Sequence, residues 1–297
     1  MKSADFVQWQ LQAQAQTELI LTRLLPSVAT QTSPLAAAMR YAALDGGKRL
    51  RPMLVLATAE LGQPDAIALE YAIAAIECIH VYSLVHDDMP EMDNDSLRRG
   101  KPTCHIQYNP AIALLVGDTL QTLAFELLSR PTDLTAKRQL RMIQTLALAA
   151  GNHGMAGGQA IDLSHVGEQL TQTELEQMHN LKTGALIRAA VTLGALVCSD
   201  VKDTDITALD QYASKLGLAF QVVDDILDCE QNSHILGKTA GKDQEADKPT
   251  YVKLMGLQQA RSYAENLIQQ ALTAICHFDQ RADHLRALAE FTISRNH

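Results

Sequence analysis

Apolar residues recur at helical spacing along almost all of the 297-residue chain, and this pattern most limits the folds open to it. The stretch from Ala66 to His86 is apolar on nearly every side, which predicts a central buried helix. Further helices are predicted at Phe6–Leu25, Leu35–Leu44, 111–129, 134–150, 172–198, 206–229, 251–276 and 282–293. Neither an alternating strand pattern nor an internal repeat nor a low-complexity linker is found in the sequence. The sequence therefore predicts one all-α domain over residues 1–297, with roughly ten or more helices.

Composition supports helix over sheet, since the chain has only 16 Gly and 9 Pro and is rich in Ala, Leu and Gln. Its length could also accommodate two small domains, and it suffices to bury a core without disulfides. The net charge of −9 argues against a general binder of nucleic acid or of anionic membranes.

Cysteine usage and the N-terminus bear on the compartment. The five cysteines are odd in number and scattered, without a C-x-x-C pair, which is typical of thiols in a reducing compartment. The N-terminal residues lack the uncharged apolar core of a signal peptide, and we find no run of the ~18 apolar residues that a bilayer span needs. We therefore expect a cytoplasmic protein without a membrane span and without a nucleic-acid partner.

Two aspartate-rich clusters lie far apart in the sequence and each has basic residues nearby. The first reads HDDMPEMDNDSLRRG from His86 to Gly100, and the second reads FQVVDDILD from Phe220 to Asp228. Carboxylates at this density repel one another unless a positive charge neutralises them. Oxygen ligands without a local cysteine suit a hard cation such as Mg²⁺, which completes its shell with water and substrate phosphates. The clusters therefore indicate magnesium-dependent handling of a phosphorylated metabolite, although a single such cluster could also be a solvated acidic surface.

Local geometry differs between the two clusters. Asp224 and Asp228 are four residues apart and Gln221 comes three before Asp224, so one helix face carries all three. Asp87 and Asp93 are six apart and would be out of line on a straight helix. Because Pro90 pushes the preceding residue out of helical geometry, we expect the helix to end there and Asp93 to loop back towards Asp87.

Basic motifs flank both clusters, and each also has a plainer interpretation. The motif GGKRLRP from Gly46 to Pro52 puts Lys48, Arg49 and Arg51 on a loop that could clamp a diphosphate or could be a solvated turn. Arg98 with Arg99 could bind phosphate or could act as plain counter-ions. The same alternatives hold for Lys182 with Thr183 and for the basic segment with Gly237-Lys238, Lys242 and Lys248. A metal site built on His86 is disfavoured, because no other metal-spaced histidines accompany it.

Taken together, these motifs resemble the short-chain trans-prenyltransferases, also called isoprenyl diphosphate synthases. The resemblance rests on GGKRLRP, HDDMPEMDNDSLRRGKPTCH, GMAGGQAIDL, LKTGALI, FQVVDDILD and LGKTAGKD…DKPTY, in this order along nearly the whole chain. Within the family, the Met-Pro insert of the first motif is most similar to bacterial farnesyl diphosphate synthases. The resemblance implies mostly antiparallel helices around a deep central cavity, and a homodimer. It also implies head-to-tail condensation of isopentenyl diphosphate with an allylic diphosphate.

The resemblance also implies roles for individual residues. Asp87, Asp93 and Asp224 would hold three Mg²⁺ ions, and these aspartates with Lys182 would be the catalytic set; Asp88, Asp225 and Asp228 would support the ligands. The allylic diphosphate would be bound by Arg98, Lys182, Thr183, Gln221, Lys238 and Lys248. Isopentenyl diphosphate, whose C–O bond stays intact and needs no metal, would be bound by Lys48, Arg51, His80 and Arg99.

Product length should depend on what closes the cavity. Tyr82 and Ser83 come five and four residues before Asp87, where the family generally sets product length. A bulky Tyr82 would act as a floor and favour a C15 product. A geranylgeranyl or geranyl diphosphate synthase stays open as an alternative. A terpene cyclase is disfavoured by GGKRLRP, and a non-catalytic subunit of a heteromeric synthase is disfavoured because both aspartate motifs are intact.

Overall fold

The computed structural model of the protein describes residues 3–30, 33–165, 170–235 and 250–294, and most of these residues are helical. These residues include more than ten helices and one antiparallel pair of two-residue strands, β1 (Leu97–Arg98) and β2 (Lys101–Pro102). The helices are α1 (Ser3–Leu24), α2 (Leu35–Ala43), α3 (Leu50–Ala59), α4 (Ala66–Asp87), α5 (Cys104–Gln107), α6 (Pro110–Ser129), α7 (Ala136–Ala150), α8 (Met155–Ser164), α9 (Gln172–His179), α10 (Ala185–Leu196), α11 (Asp203–Ile235), α12 (Tyr251–Met255), α13 (Leu257–Ala274) and α14 (Asp283–Ser294). The predicted all-α class is confirmed.

The chain forms two compact units. The first contains Met1–Gln144 and Leu193–Asp200, and the second contains Thr145–Thr192 and Val201–His297.

Helix α4 is the buried helix of the first unit, as its sequence predicts. It packs against α3 and α6, and Asp65 caps its first turn by accepting a hydrogen bond from the amide of Ala68 at 2.7 Å. Ile73, Ile76 and Ile79 are completely buried. Full burial of such side chains contributes about 1.5–3 kcal/mol each. This packing holds the helix that ends in the first acidic cluster.

Two helices of the first unit, α4 and α6, are long and apolar enough to cross a bilayer by length and composition. Neither helix is an unbroken apolar run, because α4 contains Glu70 and Glu77 and α6 contains Asp118 and Glu126, so the prediction that no such run is present is not contradicted. Within the most apolar stretch of each helix, 61% of α4 and 44% of α6 is buried inside the protein, and the two helices pack on each other. They pack as core helices do, and core helices can have the same length and apolar composition as a bilayer span.

Two predicted helices of the second unit are not regular α-helices along their whole length. The predicted helix at 172–198 begins as expected, where Thr171 and Glu174 form a capping box. It then continues through a π-helical turn at Asn180–Gly184, between α9 and α10, and ends at Leu196. The predicted helix at 251–276 is broken at Gly256, whose φ of 80° cannot continue a helix.

Three helices are absent from the sequence prediction: α3, the four-residue α5, and α8. Helix α3 begins inside GGKRLRP, so its Leu50, Arg51 and Pro52 form a helical turn rather than a loop. Proline is tolerated there because the first-turn amides have no partner within the helix. Helix α8 carries two glycines, Gly157 and Gly158, which lower helix propensity and conceal it in the sequence.

Candidate active site

The first acidic cluster folds back on itself as predicted. Helix α4 ends at Asp87, and the amide of Asp93 donates a hydrogen bond to the carbonyl of Asp87 at 2.8 Å. Asn94 takes a left-handed conformation with φ of 51°, which helps the chain to reverse. The backbone bond keeps the second aspartate near the first although six residues separate them.

Asp88, next to Asp87, is bound to Arg98. Its side chain is only 4% exposed, and the Nε atom of Arg98 lies 2.8 Å from both carboxylate oxygens. Burial raises the pKa of Asp88, even though Arg98 favours its charged form. The hydrogen bond to Asp88 raises the pKa of Arg98 in turn. Asp88 therefore holds the arginine that was predicted to bind the allylic diphosphate.

A cluster of cations surrounds His80 in the first unit. Burial, followed by the charges of Arg51 and Arg99, lowers the pKa of His80 well below its usual range, so the imidazole is neutral near pH 7. The Arg99 guanidinium lies over the backbone of Gly47, where an added Cβ would come within 2.6 Å of its Nη1 atom. The structure thus brings together three of the four residues predicted to bind isopentenyl diphosphate; the fourth, Lys48, is exposed nearby in the same motif.

A cavity of the first unit is bordered by Arg98, by Arg99 and by the start of the motif GGKRLRP. Gly46, Arg98 and Arg99 border it, and α4 contributes an apolar wall of Val81, Leu84 and Val85. Two of the candidate diphosphate-binding arginines of this unit, Arg98 and Arg99, are therefore next to apolar surface.

Arg49 does not belong to a diphosphate clamp, contrary to the interpretation of GGKRLRP. Its side chain is 1% exposed and points inward, where Nη1 donates to Glu77 at 2.6 Å and Nε donates to Glu18 at 2.9 Å. Nη2 also donates to the carbonyl of Ala43 at 2.6 Å. The backbone at Arg49 is left-handed, with φ of 51°. Arg49 is a structural residue that joins α1, α2 and α4.

Tyr82 and Ser83 have different surroundings on α4. The Tyr82 ring is 7% exposed, lies edge-on to His86 at 5.8 Å, and is close enough to the side chain of Gln121 on α6 to interact with it electrostatically. Ser83 donates to the carbonyl of His80 at 2.8 Å, within its own helix. Gly117 of α6 permits this packing, because a Cβ there would lie 2.5 Å from the His86 ring carbon Cε1.

In the second unit, the second acidic cluster lies in the unbroken helix α11. Gln221 and Asp224 are half-buried and Asp228 is exposed, so the predicted shared face is present and accessible. Asp225 points elsewhere and accepts a hydrogen bond from the amide of Tyr251 at 2.7 Å. Burial raises the pKa of Asp225 to about 7, and the charges of Asp224 and Asp228 add to the effect.

Lys182 and Thr183 lie in the π-helical turn of the second unit. Such turns are uncommon and occur often at functional sites. Lys182 forms an ion pair with Asp162 of α8. Gly158 of the same helix lies so close that an added Cβ would be 2.6 Å from the Lys182 Cα. Helix α8 therefore places both the backbone and the ammonium group of Lys182.

Comparison with known proteins identifies the family. The family model for polyprenyl synthetase matches residues 32–289. The chain belongs to this family. It is 46% identical to the farnesyl diphosphate synthase of Escherichia coli strain K12 over 297 residues, which is 98% of this chain and 99% of that protein. A polyprenyl synthetase at this similarity is a prenyltransferase, as the sequence resemblance implied.

Solved structures of related enzymes have the same fold. The apo structure of an FPP/GFPP synthase from Zymomonas mobilis superposes with a TM-score of 0.88 at 40% identity, covering 98% of this chain and 100% of that one. A geranyltransferase from Helicobacter pylori, complexed with magnesium and isoprenyl diphosphate, gives 0.84 at 34% identity, covering 99% and 100%.

The oxygen donors fit the Mg²⁺ on which the polyprenyl synthetase family depends. Within the described ranges, no three histidine, cysteine or acidic residues are gathered as a ready metal cluster. Mg²⁺ can be held by one or two carboxylates together with water and phosphate. Asp87 with Asp93, and Asp224 on its accessible helix face, offer such oxygens. Lys238 and Lys248, predicted to bind the allylic diphosphate, lie outside the described residues.

Sequence reasoning assigned no role to several residues that place the candidate site. Asp162 pairs with Lys182, Tyr251 donates to Asp225, and Gln121 interacts electrostatically with Tyr82. Asp162 lies in GMAGGQAIDL and Tyr251 in DKPTY, two of the motifs on which the prenyltransferase resemblance rests. Those motifs could have indicated both residues. Nothing in the local sequence marks Gln121.

Proposed function

We propose that the protein condenses isopentenyl diphosphate head to tail with dimethylallyl diphosphate and then with geranyl diphosphate, giving farnesyl diphosphate. The observation that supports this most is the presence of two kinds of anion-binding group in the first unit. Arg98 lies among carboxylates suited to Mg²⁺, whereas His80, Arg51 and Arg99 cluster together. One diphosphate must leave its substrate and the other must only be held, so two such groups suit this reaction. The farnesyl product follows the Escherichia coli relative.

Arg98 and Lys182 are the cations that we propose for the leaving diphosphate. Each is already held by a carboxylate, Asp88 or Asp162 respectively, so little reorganisation is needed when charge develops on the departing oxygen. Thr183, Gln221, Lys238 and Lys248 complete this proposed set. Isopentenyl diphosphate would be held by Lys48, Arg51, Arg99 and the neutral His80.

Asp87, Asp93 and Asp224 would hold Mg²⁺, and we propose three ions per active site. The metal would supply positive charge that stabilises the departing diphosphate. Asp87 and Asp93 are kept near one another by the bond between their backbones.

Tyr82, with Ser83, is proposed to set product length. The Tyr82 ring is buried and lies edge-on to His86, which limits its movement. A ring held in this way can stop a growing chain, whereas a loosely packed ring would yield to it.

We further propose that residues 1–297 act as a single isoprenyl diphosphate synthase domain, that the protein is a homodimer and that it is cytoplasmic. The family match includes residues of both units. Leu114 and Leu115, about half exposed on α6, offer apolar surface that a second copy could cover. All five cysteines are free thiols, which suits a reducing compartment.

A product assay with metal control tests the proposed reaction. Purified protein would be incubated with isopentenyl diphosphate, each allylic starter and Mg²⁺ or EDTA, and the prenyl alcohols identified after dephosphorylation. Asp87→Ala and Asp224→Ala should each lose ~10²-fold or more in turnover. Glu265→Ala, which removes an exposed carboxylate of α13, is the matched control. Near-wild-type turnover in either aspartate variant would contradict the metal assignment.

Substrate-specific kinetics test the division between the two diphosphates. Lys48→Ala or Arg51→Ala should raise KM for isopentenyl diphosphate far more than KM for the allylic substrate, because charge-assisted bonds hold each diphosphate. Equal increases in both constants would refute the division.

A further inference from the structure

Tyr251 connects helix α12 to the second acidic cluster. It is the first residue of α12, and amides at that position have no partner within a helix. The Tyr251 amide donates instead to Asp225 Oδ2 at 2.7 Å. Asp225 is the immediate neighbour of Asp224, so this bond connects α12 to the residue beside a proposed metal ligand.

The ring of Tyr251 makes a second connection. It is completely buried and stacks on His179 of α9, with ring centroids 5.6 Å apart and an angle of 29° between planes. It also packs against Tyr263 of α13 at 6.0 Å. His179 is 8% exposed and comes directly before the π-helical turn that carries Lys182.

The side-chain polar atoms of the Tyr251–His179 pair make no hydrogen bonds in the described part of the chain. Neither ring nitrogen of His179 has a partner there, and neither has the Tyr251 hydroxyl. Buried polar groups normally find partners. The pair therefore acts through its stacked rings and through the Tyr251 backbone amide.

From these contacts we infer that Tyr251 is a positioning residue, which fixes the Lys182 turn relative to Asp224 through His179 on one side and Asp225 on the other. All of these residues belong to the second unit. The inference rests on the proposed function, in which Lys182 and Asp224 serve the allylic diphosphate. The inference also gives Asp225 the role of holding the backbone of α12, whereas its neighbour Asp224 is proposed to bind metal.

Hydrogen exchange in metal-free protein tests the Asp225–Tyr251 bond without any reaction. Asp225→Ala should speed exchange at the Tyr251 amide by about tenfold or more, because the amide loses its acceptor. Asp225→Asn should keep most of the protection, since its carboxamide oxygen can still accept the bond. Unchanged exchange in Asp225→Ala would overturn the inference.

Binding and kinetics test the positioning role. Tyr251→Leu removes the stacked ring, whereas Tyr251→Phe keeps the ring and removes a hydroxyl that forms no hydrogen bond in the described part of the chain. Tyr251→Leu should weaken binding of inorganic diphosphate with Mg²⁺ by about tenfold, and raise KM for the allylic substrate alone by a similar factor. Tyr251→Phe should match wild type, and His179→Phe should retain the stack.

The possible outcomes separate the inference from the proposed function. Equal increases in both KM values for Tyr251→Leu, or a Tyr251→Phe defect as large as that of Tyr251→Leu, would overturn the positioning role. If Tyr251→Leu does not fold, the Asp225→Ala exchange result and the comparison of Tyr251→Phe with wild type decide. Wild-type protein that makes no prenyl product would refute the proposed function, and diphosphate binding and exchange would then decide on Tyr251.

Discussion

Gly158→Ala should disable the protein although it adds a single methyl group. A Cβ at this position would be 2.6 Å from the Lys182 Cα and 2.8 Å from the Leu181 carbonyl carbon, whereas ordinary contact begins near 3.4 Å. Both neighbours are backbone atoms, so α8 and the π-helical turn must separate by about 1 Å. A displacement of that size at a residue that holds substrate can cost about 10²-fold in rate, or ~2.7 kcal/mol of transition-state stabilisation.

The assay would measure kcat/KM for each substrate together with the free energy of unfolding. Overpacking should cost roughly 1–3 kcal/mol of stability, partly offset by the better helix propensity of alanine. Gly184→Ala is a matched control in the turn itself, because the nearest atom to its Cβ would be 3.4 Å away. We expect this control to keep most of its activity.

A well-folded Gly158→Ala protein with wild-type kcat/KM would refute the idea that α8 places Lys182. Equal losses in Gly158→Ala and Gly184→Ala would also refute it, since the turn would then be sensitive to any added methyl group.

Three further predictions concern other parts of the protein. Arg49→Met should destabilise the metal-free protein by about 3–5 kcal/mol in urea unfolding, because Glu77 is left buried and uncompensated; a substrate-binding role alone would leave stability unchanged. Tyr82→Ala, checked first for folding because a buried aromatic truncation costs ~3–5 kcal/mol, should shift products from C15 towards C20 or longer. A folded variant that still stops at C15 would place the floor elsewhere. Burial lowers the pKa of His179 to about 4 from 6.5, so the unfolded chain binds a proton that the folded protein does not. As the pH is lowered from 6.5 to 4, the free energy of unfolding should therefore fall by up to about 1.4 kcal/mol per pH unit. His179→Phe should lose this dependence, and an identical pH slope in both proteins would show that His179 does not contribute.

The sequence could predict a structural feature when the residues that cause it are close together in the chain. Pro90 acts on its immediate neighbours, so the reversal that brings Asp93 back to Asp87 could be foreseen. Arg49 shares the motif GGKRLRP with two other basic residues, Lys48 and Arg51, whose side chains are chemically similar to it. Which of the three turns inward depends on Glu18 and Glu77, which are distant in sequence, so the motif alone could not single out Arg49 as structural.

The π-helical turn had no signal of its own in the sequence. Its residues fit an ordinary helix, and the extra residue in the turn is stabilised by contacts with α8 that form only in the folded protein. Because the residues fit an ordinary helix, helical periodicity predicted one regular helix across the turn. The chemistry of Lys182 could be suggested from its motif, whereas its unusual backbone could not.

Each Asp-Asp pair has a consequence for how an anionic substrate approaches. Successive residues of a helix point about 100° apart, so neighbouring carboxylates cannot both face one ligand. The charge of Asp88 is compensated by Arg98, and with a pKa raised to about 7 Asp225 is only partly ionised at neutral pH. A diphosphate that arrives before its metal ions therefore encounters fewer uncompensated negative charges than the number of aspartates suggests, and the electrostatic barrier to its entry is correspondingly smaller.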